Sequence, residues 1–450
     1  MAVSLPFSLF DQLGIKEFGR KLRRREITAL GVTQAYLDRI HDLDDKLRSF
    51  VHVMGEQALR CARAMDELLA AGTDLGPLMG IPVAVKDLFT VTGAPVTAGS
   101  RVDISGLVEP EGSFITRLKR AGCVILGKTV TTEFALGLYN PTHRTPWNPC
   151  DARIARMPGG SSSGSAVAMA ARLGAFTVGT DTGGSVRNPA ALCGVFGYKA
   201  SPGLWPADGI FPLSPTLDSI GFFAASARDA ACVFEGIAAR TVPPPRPLKG
   251  LRFGCPKTYF FDDLDDDVAR ACVWAVRKLE DAGAQSVACD LDEAREISTV
   301  FAELVPAELV AAVGKRRLLE NEQKIDPVAW ARVMHGVDLS AVKYQAMLKR
   351  HRELGTVIKA RLQGLDAWLA PTVPFVAPPV SNFTTVDEIA ALNRRAMRNA
   401  QPVNLFGQCA VSVPIPGVPL PVGLQLAAPA GQDAALLSLA QSVERVLSCH

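Results

Sequence analysis

The chain has 450 residues, and its 48 Lys and Arg nearly balance its 45 Asp and Glu, which gives a formal net charge of +3. Hydrophobic residues make up 48% and charged residues 21% of the chain, so a large core is expected and a disordered chain is excluded. A charge this small and this widely spread gives no reason to expect a nucleic-acid partner.

The ten cysteines show neither CxxC nor another metal-ligand spacing. We expect them to be reduced and buried, as in a cytoplasmic protein, and we expect no metal. No apolar run approaches eighteen residues without glycine, proline or charge, and the first fourteen residues lack the basic start and long apolar core of a secretory signal. We therefore expect no contact with a membrane.

Hydrophobic periodicity and turn residues predict strands that alternate with helices in the first half of the chain. After a short helix and connector over 1–32, helices are predicted over 33–43, 55–71, 111–122 and 166–173. Strands are predicted over 47–54, 78–85, 124–126, 176–179 and 195–199. Thr33 is the predicted N-cap of its helix.

The proline-rich segment 240–249 is the clearest internal boundary, since four prolines favour an extended connector. Beyond it, strands are predicted over 251–254, 285–289, 367–374, 410–414 and 421–427. Helices are predicted over 265–282, 388–405 and 433–447, and helical patterns dominate 297–362. The alternation predicts a single large α/β/α sandwich, with a central mixed β-sheet covered by helices on both faces.

Two glycine-rich turns stand out between these elements, and each carries a serine. Ser161 follows two glycines and opens a predicted helix, while Ser185 ends the turn TDTGGS, 24 residues later. The glycines let backbone N–H groups converge without obstruction, so Ser185 has the setting of a nucleophile beside an oxyanion hole.

A serine nucleophile needs a base, and none of the six histidines lies in a motif that suggests a Ser-His pair. Lys86, at the end of an apolar predicted strand, is the alternative. Burial disfavours the charged form and would lower the pKa of this lysine from about 10.4 toward the 7–8 that a catalytic base requires.

Three segments together resemble the amidase signature family of serine amidohydrolases, from about Thr33 to the C-terminal helix. They read GIPVAVKD at 80–87, PGGSSSGSA at 158–166 and GTDTGGSVR at 179–187. The resemblance implies that Ser185 is the nucleophile, that Ser161 is a bridging serine held by a cis peptide bond, and that Lys86 is the base. It also implies an oxyanion hole from the N–H groups of Thr182, Gly183, Gly184 and Ser185, supported by Asp181 and Arg187.

By the same resemblance, the whole chain 1–450 is an amidase domain with a catalytic core over 30–238. A helix-rich region over 249–365 would cover the site, and 366–450 would complete the sheet. The implied reaction is hydrolysis of a small amide through an acyl-enzyme, with no cofactor, and the resemblance also suggests a homodimer. Two positions depart from the usual family pattern, because Ala200 and Phe222 stand where proline is common.

The substrate pocket is expected beside the proline-rich loop 139–156, which leads into the first serine turn. Tyr139, Arg144 and Gly160 are the predicted substrate contacts. For a charged substrate, Arg144 or Arg101 would supply the positive charge.

Two other functions remain open at this point. One is the glutamine-hydrolysing A subunit of a tRNA-dependent amidotransferase, which would need partner subunits. The other is a nucleotide-binding module that uses the glycine-rich turns. The segment GCVILGKT at 122–129 matches a phosphate-binding loop, but its apolar centre favours a strand instead. The S-x-x-K match at 340–343 lacks its companion motifs and indicates only a helix start.

Overall fold

A computed structural model describes residues 13–449 of the chain. The described strands form one sheet of eleven. They are β1 Phe50–Val53, β2 Pro82–Lys86, β3 Val124–Thr129, β4 Phe176–Thr180, β5 Phe196–Lys199, β6 Ile220–Ala224, β7 Arg252–Pro256, β8 Gln285–Cys289, β9 Ala367–Pro371, β10 Gln408–Pro414 and β11 Gly423–Pro429. Their order across the sheet is β1-β3-β2-β4-β6-β5-β10-β11-β9-β7-β8.

Helices flank this sheet. They are α1 Ile15–Arg23, α2 Ala29–Leu47, α3 Gly55–Ala70, α4 Ser113–Arg120, α5 Ser163–Ala170, α6 Arg187–Cys193, α7 Ala227–Ala238, α8 Asp266–Asp281, α9 Val300–Val313, α10 Lys315–Glu320, α11 Pro327–Met334, α12 Ala341–Arg361, α13 Val386–Met397, α14 Gln401–Leu405 and α15 Asp433–Ser448. The predicted large α/β fold around a mixed sheet is confirmed. Of the predicted helix and connector over 1–32, the first twelve residues lie outside the described part.

The sheet is mixed because its two parallel groups are joined through antiparallel strands. In the first group, β2 runs parallel to β3 and to β4. In the second, β7 runs parallel to β8 and to β9. The strands β6, β5, β10 and β11 pair antiparallel between the two groups. Since β2 and β4 are parallel neighbours, their carboxyl ends meet at one edge of the sheet, as at the ligand-binding ends of other open α/β sheets.

The short helix α5 lies in the core and packs against β2, β3, β4 and β6. Its sequence SGSAVAMA consists mostly of small residues, and seven of its eight residues are buried. Ser165 ties it to the sheet, because its hydroxyl donates to the Val178 carbonyl at 2.9 Å and its carbonyl accepts from the Thr177 hydroxyl at 2.7 Å. The turn that precedes α5 is therefore held against the ends of β2 and β4.

Two predicted helices differ from the structure for identifiable reasons. The helix predicted from Thr33 begins at Ala29, and Thr28 caps it by accepting from the Gly31 N–H at 3.0 Å. Gly31 does not interrupt the helix, so the hydroxyl of Thr28 caps it instead of that of Thr33. Thr33 is buried within the helix. The single helix over 388–405 is two helices, α13 and α14, because Pro402 is tolerated only in a first turn.

The segment that matches a phosphate-binding loop is a turn followed by the strand β3. Gly127, Lys128 and Thr129 belong to β3, which is buried along its whole length. Lys128 forms a buried ion pair with Asp87, at 2.7 Å between Nζ and Oδ1. The S-x-x-K match is a helix start, since Ser340 caps α12 and accepts from the Lys343 N–H at 3.2 Å. Both structural interpretations made from the sequence are confirmed.

The ten cysteines are free, as expected, but they are not uniformly buried: Cys449 is exposed and four others are half-buried. Over residues 13–449, no helix combines the length and the apolar character that a membrane span requires.

Candidate active site

Lys86 ends β2, and its side chain is fully buried. Its ammonium donates to Ser161 Oγ at 2.7 Å and to Thr180 Oγ1 at 2.9 Å. Thr180 is the last residue of β4, the parallel neighbour of β2, so the register of the sheet brings these two side chains together. The lysine therefore faces two hydroxyl groups and has no carboxylate among its hydrogen-bond partners in the described chain.

Burial lowers the pKa of Lys86 to about 7, and the carboxylates of Asp218 and Asp181 oppose this shift. A lysine in water stays protonated up to about pH 10. A pKa near 7 leaves a large neutral fraction at neutral pH, which a general base requires.

The two serine turns are joined through the backbone. The Ser162 N–H donates to the Ser185 carbonyl at 3.2 Å. The Gly160–Ser161 peptide bond is cis, as the family resemblance implies. Ser161 is fully buried and Ser185 is 3% exposed. Within residues 13–449 no hydrogen bond joins the Ser185 hydroxyl to Ser161, so the contact between the turns is between backbone groups, beside the Lys86–Ser161 bond.

The turn before Ser185 is organised around the buried Asp181 carboxylate. It accepts the Gly184 N–H at 2.8 Å and the Val186 N–H at 3.1 Å. Gly184 has φ of +113°, a conformation that favours glycine. Of the four N–H groups expected in the oxyanion hole, that of Gly184 is thus already engaged. Those of Thr182, Gly183 and Ser185 have no acceptor in the described structure.

Arg187 holds Asp181 in place through two hydrogen bonds, at 2.8 and 3.1 Å. The same guanidinium donates to the Ala400 carbonyl at 2.8 Å, Asn404 Oδ1 at 2.6 Å and Gln425 Oε1 at 2.6 Å. Burial favours the neutral acid, but Arg187 outweighs it and keeps the pKa of Asp181 well below its usual range. Asp181 is therefore a permanent negative charge behind the turn.

Sequence reasoning missed Asp218. This carboxylate accepts from the Thr182 hydroxyl at 2.5 Å and from the Leu213 and Ser214 N–H groups at 3.0 and 3.1 Å. Burial raises its pKa to about 6. Asp218 stands in a proline-rich loop just before β6, the antiparallel neighbour of β4. No predicted strand or motif marked this residue in the sequence, because the pairing of β6 with β4 is a property of the folded sheet.

Asp218 and Thr180 also line a cavity of about 390 Å³. Its walls include Trp205 and Phe211, and Asp208 and Glu109 are its other acidic residues. This cavity therefore reaches Thr180, one of the two residues whose hydroxyl accepts a hydrogen bond from Lys86.

None of the predicted substrate contacts lines either of the two larger cavities described for this structure. Tyr139 and Arg144 line a crevice of about 10 Å³, barely the size of one water molecule. Gly160 is buried, and a Cβ at this position would lie 2.9 Å from Leu138 Cα. Arg101 is exposed and donates to the Lys324 carbonyl at 3.0 Å. These residues belong to loops whose packing directions the sequence does not reveal.

The large cavity lies elsewhere, among α9, α11 and α13. It has a volume of about 1130 Å³, and Phe301, Arg332, Asn393 and Gln401 are among its lining residues. Ligand pockets typically enclose about 300–1,000 Å³. No motif marks these residues, which come from the helix-rich region and from the C-terminal part. Across residues 13–449, no cluster of three or more His, Cys, Asp or Glu side chains is arranged to hold a metal ion.

Comparisons with known proteins agree with this architecture. The amidase family model matches residues 31–437. The chain is 36% identical to a 2-amino-5-chloromuconic acid deaminase of Comamonas testosteroni, over 97% of this chain and 96% of that protein. It is 32% identical to the A subunit of the glutamyl-tRNA(Gln) amidotransferase of Geobacter metallireducens, over 98% of both. A crystal structure of an amidase superposes with a TM-score of 0.88 at 29% identity, over 97% of this chain and 100% of that one. The chain therefore belongs to the amidase family and is a hydrolase of amide carbon–nitrogen bonds.

Proposed function

We propose that this enzyme hydrolyses a small carboxylic amide, with Ser185 as nucleophile, Ser161 as proton relay and Lys86 as base. The observation that carries the proposal is the buried 2.7 Å hydrogen bond between Lys86 Nζ and Ser161 Oγ, made by a lysine whose pKa burial lowers to about 7. A lysine in this state accepts a proton from a hydroxyl and returns it in the next step.

In the first half of the reaction, Ser185 Oγ attacks the amide carbonyl carbon. Its proton passes to Ser161 Oγ, and the Ser161 proton passes to Lys86 Nζ. The N–H groups of Thr182, Gly183 and Ser185 then stabilise the oxyanion, and each such donor is worth about 10²–10³ in rate. When the carbon–nitrogen bond breaks, the proton returns from Lys86 through Ser161 to the nitrogen, and ammonia leaves.

In the second half, water attacks the ester carbonyl that Ser185 now carries. The proton of the water passes through Ser161 to Lys86, and the oxyanion accepts hydrogen bonds from the same three N–H groups. Collapse of this intermediate breaks the ester bond, Ser185 regains its proton through Ser161, and the carboxylic acid leaves. Asp181 and Arg187 support the turn throughout and take no proton.

Ammonia release from a panel of amides tests the proposal. The panel contains acetamide, benzamide, an arylacetamide, malonamate, a biuret-like compound and glutamine, and Ser185→Ala is the control. We expect release from at least one amide by the wild-type enzyme and none by the variant. Silence across the panel would contradict a small primary amide as substrate.

A second candidate function is the glutamine-hydrolysing subunit of a tRNA-dependent amidotransferase. It is favoured by relatives of that name which align over 94–98% of this chain at 32–35% identity. Such a protein should copurify with other chains from its own cell and should release ammonia from glutamine. A chain that purifies without partners and does not hydrolyse glutamine would be an independent amidase. This is the function we favour.

We also propose that the enzyme works in the cytoplasm and forms a homodimer. The free cysteines of the described chain support a reducing compartment. The homodimer rests on the family resemblance, and sedimentation of the purified protein tests it.

A further inference from the structure

The loop 213–219 lies between the second serine turn and the helix α9. On the side of the turn, Asp218 accepts from the Thr182 hydroxyl at 2.5 Å. The N–H and the hydroxyl of Ser219 donate to the Asp181 carbonyl at 3.2 and 2.8 Å, and the Asp181 N–H donates back to the Ser219 carbonyl at 2.8 Å. The position of this loop therefore affects where Thr182, a proposed oxyanion donor, lies.

Glu308 holds the same loop from the side of α9. It is 6% exposed, and its carboxylate accepts the Thr216 N–H at 3.1 Å and the Ser214 hydroxyl at 2.5 Å. The same carboxylate accepts from the Thr216 hydroxyl and, at 2.8 Å, from the Tyr344 hydroxyl on α12. Four donors thus engage this buried side chain, and three of them belong to the loop.

Ser214 joins the two carboxylates that hold the loop. Its hydroxyl donates to Glu308, and its N–H donates to Asp218 at 3.1 Å. Its carbonyl accepts the N–H groups of Leu217 and Asp218, at 2.9 and 2.7 Å, so the loop is closed on itself. A displacement of Glu308 would therefore pass through Ser214 to Asp218 and from there to Thr182.

The helix α9 also touches the second serine turn directly. Phe301 packs against Gly183, where an added Cβ would lie 2.5 Å from Phe301 Cζ. Phe301 and Glu308 are seven residues apart on α9, about two helical turns, so they project from the same face. This face contacts Gly183 through a side chain and Thr182 through the loop, and both residues are proposed oxyanion donors.

Other polar contacts of the helix-rich region do not reach the loop. Glu296 lies just before α9 and accepts from Arg350 of α12, at 2.7 Å between Oε2 and Nε. Glu303 of α9 pairs with Lys343, also on α12. Over residues 13–449, Glu308 makes all the side-chain hydrogen bonds between α9 and the loop 213–219.

We propose that Glu308 is a positioning residue for the oxyanion hole, because it fixes the loop 213–219 and, through that loop, the Thr182 N–H. This inference rests on the proposed amidase function and adds a residue to it. Glu308 contacts no reacting atom and takes no proton in the reaction. Oxyanion donors stabilise the transition state only when they are already aimed at the oxyanion, and a misplacement of about 1 Å can cost about 10²-fold in rate.

Steady-state kinetics test this role on whichever amide the wild-type enzyme hydrolyses. In Glu308→Ala we expect kcat to fall by about 10–10²-fold and KM to change less than about threefold, because the oxyanion forms only in the transition state. Glu308→Gln keeps one acceptor oxygen and should show a smaller loss of kcat. A normal kcat in Glu308→Ala, or a loss that lies in KM alone, would overturn the assignment.

Glu296→Gln is the matched control for Glu308→Gln. It removes a half-buried carboxylate that joins two segments of the same region, but it leaves the loop 213–219 untouched. We expect its kcat to stay within about twofold of the wild type. An equal loss of kcat in the two Gln variants would show that any weakening of the helix-rich region lowers the rate, and would overturn a specific role of Glu308.

Hydrogen exchange separates this inference from the proposed function, because it requires no substrate. Exchange of the backbone amides in the segment 176–190 is followed by mass spectrometry in the wild type, Glu308→Ala and Glu296→Gln. We expect exchange in this segment to be at least about fivefold faster in Glu308→Ala and unchanged in Glu296→Gln. That result supports the positioning role even if no amide of the panel is hydrolysed.

Two exchange results would contradict the proposal. Unchanged exchange over 176–190 in Glu308→Ala would show that the loop does not position the turn. Exchange that rises equally across the whole sheet would show a general loss of stability instead. If Glu308→Ala does not fold, Glu308→Gln takes its place and should show the same local increase at a smaller size.

Discussion

At the scale of single residues, three buried lysines differ in what their ammonium groups contact. Lys128 pairs with the Asp87 carboxylate. Lys199 donates to the Ala200 and Gln408 carbonyls, at 2.9 and 2.7 Å. Lys86 donates to the hydroxyls of Ser161 and Thr180. A carboxylate holds the lysine charged and a backbone carbonyl has no proton to give, whereas a hydroxyl both accepts and donates. This difference in partners fits Lys86 for proton transfer.

The pH dependence of kcat/KM should follow Lys86. Its pKa of about 7 lies below that of a lysine in water, so the base is neutral above pH 7 and protonated below it. We expect kcat/KM to fall tenfold per pH unit on the acidic side of about pH 7. Lys86→Ala should lower kcat by about 10²–10⁴. A rate profile measured from pH 5 to 9 checks both, and near-normal turnover by Lys86→Ala would contradict the role of the base.

Asp218 should affect the pH at which kcat/KM begins to fall on the acidic side of the profile, called here the acidic limb. Its negative charge raises the pKa of Lys86 against the effect of burial. In Asp218→Asn the amide oxygen can still accept from Thr182, but the charge is gone, so the pKa of Lys86 should fall. We expect the acidic limb to move down by about half a pH unit or more.

The matched control for this variant is Asp208→Asn. Asp208 lines the same cavity but engages Ser113, at 2.6 Å between Ser113 Oγ and Asp208 Oδ1. Its removal should leave the limb in place. An unchanged profile in Asp218→Asn would show that Asp218 acts only through the Thr182 contact.

At the scale of elements, the turn before Ser185 is held by segments distant in the chain. Arg187, the first residue of α6, contacts α14 through Asn404 and β11 through Gln425. The N-terminal end of α6 is thereby fixed to the last fifty residues. The proposed oxyanion donors depend on this anchor, because Asp181 positions the turn and Arg187 positions Asp181.

Removal of this anchor should destabilise the protein strongly. In Arg187→Met the Asp181 carboxylate would remain buried without its partner, which typically costs about 3–5 kcal/mol. We expect the free energy of unfolding in urea at pH 7 to fall by that amount. The folded-state pKa of Asp181 is depressed, so its contribution is present above about pH 4 and is lost as the pH falls below that value. A loss under 1 kcal/mol would contradict this role.

At the scale of the whole molecule, the sheet joins the two ends of the sequence at the site. Lys86 and Ser161 come from β2 and from the turn before α5, in the first half of the chain. Asn404 and Gln425 come from α14 and β11, near its end. The eleven-stranded sheet makes these segments neighbours, since β5 pairs with β10 and β10 pairs with β11. The residues that form and support the site therefore require the complete sheet.

Asn404→Ala tests this long-range support. The Asn404 side chain accepts from Arg187 at 2.6 Å and donates to the Asp181 carbonyl at 2.9 Å. Its loss leaves buried groups unpaired, and we expect the unfolding free energy to fall by about 1–3 kcal/mol. Thermal and urea unfolding measure the change. Asn382→Ala, at an exposed position, should have no effect beyond about 0.5 kcal/mol and serves as the control.

The secondary structure was largely predictable because it depends on local patterns. The strand at 285–289 was predicted to the residue, and most others within a few residues. The elements β6 and α7 were not predicted, and some boundary errors arose where local signals competed. Thr28 and Thr33 both lie near the start of α2 and could cap it, and Thr28 does. Pro402 was taken into a continuous helix although it opens a new one.

The sequence by itself determined the alternation of strands and helices, the family and the identity of Lys86, Ser161 and Ser185 as candidates, since these depend on short-range periodicity and on contiguous motifs. Only the tertiary structure decided that Asp218 lies beside Thr182, that Asn404 and Gln425 support Arg187, and that Arg332 rather than Arg101 or Arg144 lines the large cavity. Those contacts join segments up to 238 residues apart. They arise from the packing of whole elements around the sheet, and no local pattern records which side chain such packing turns toward a cavity.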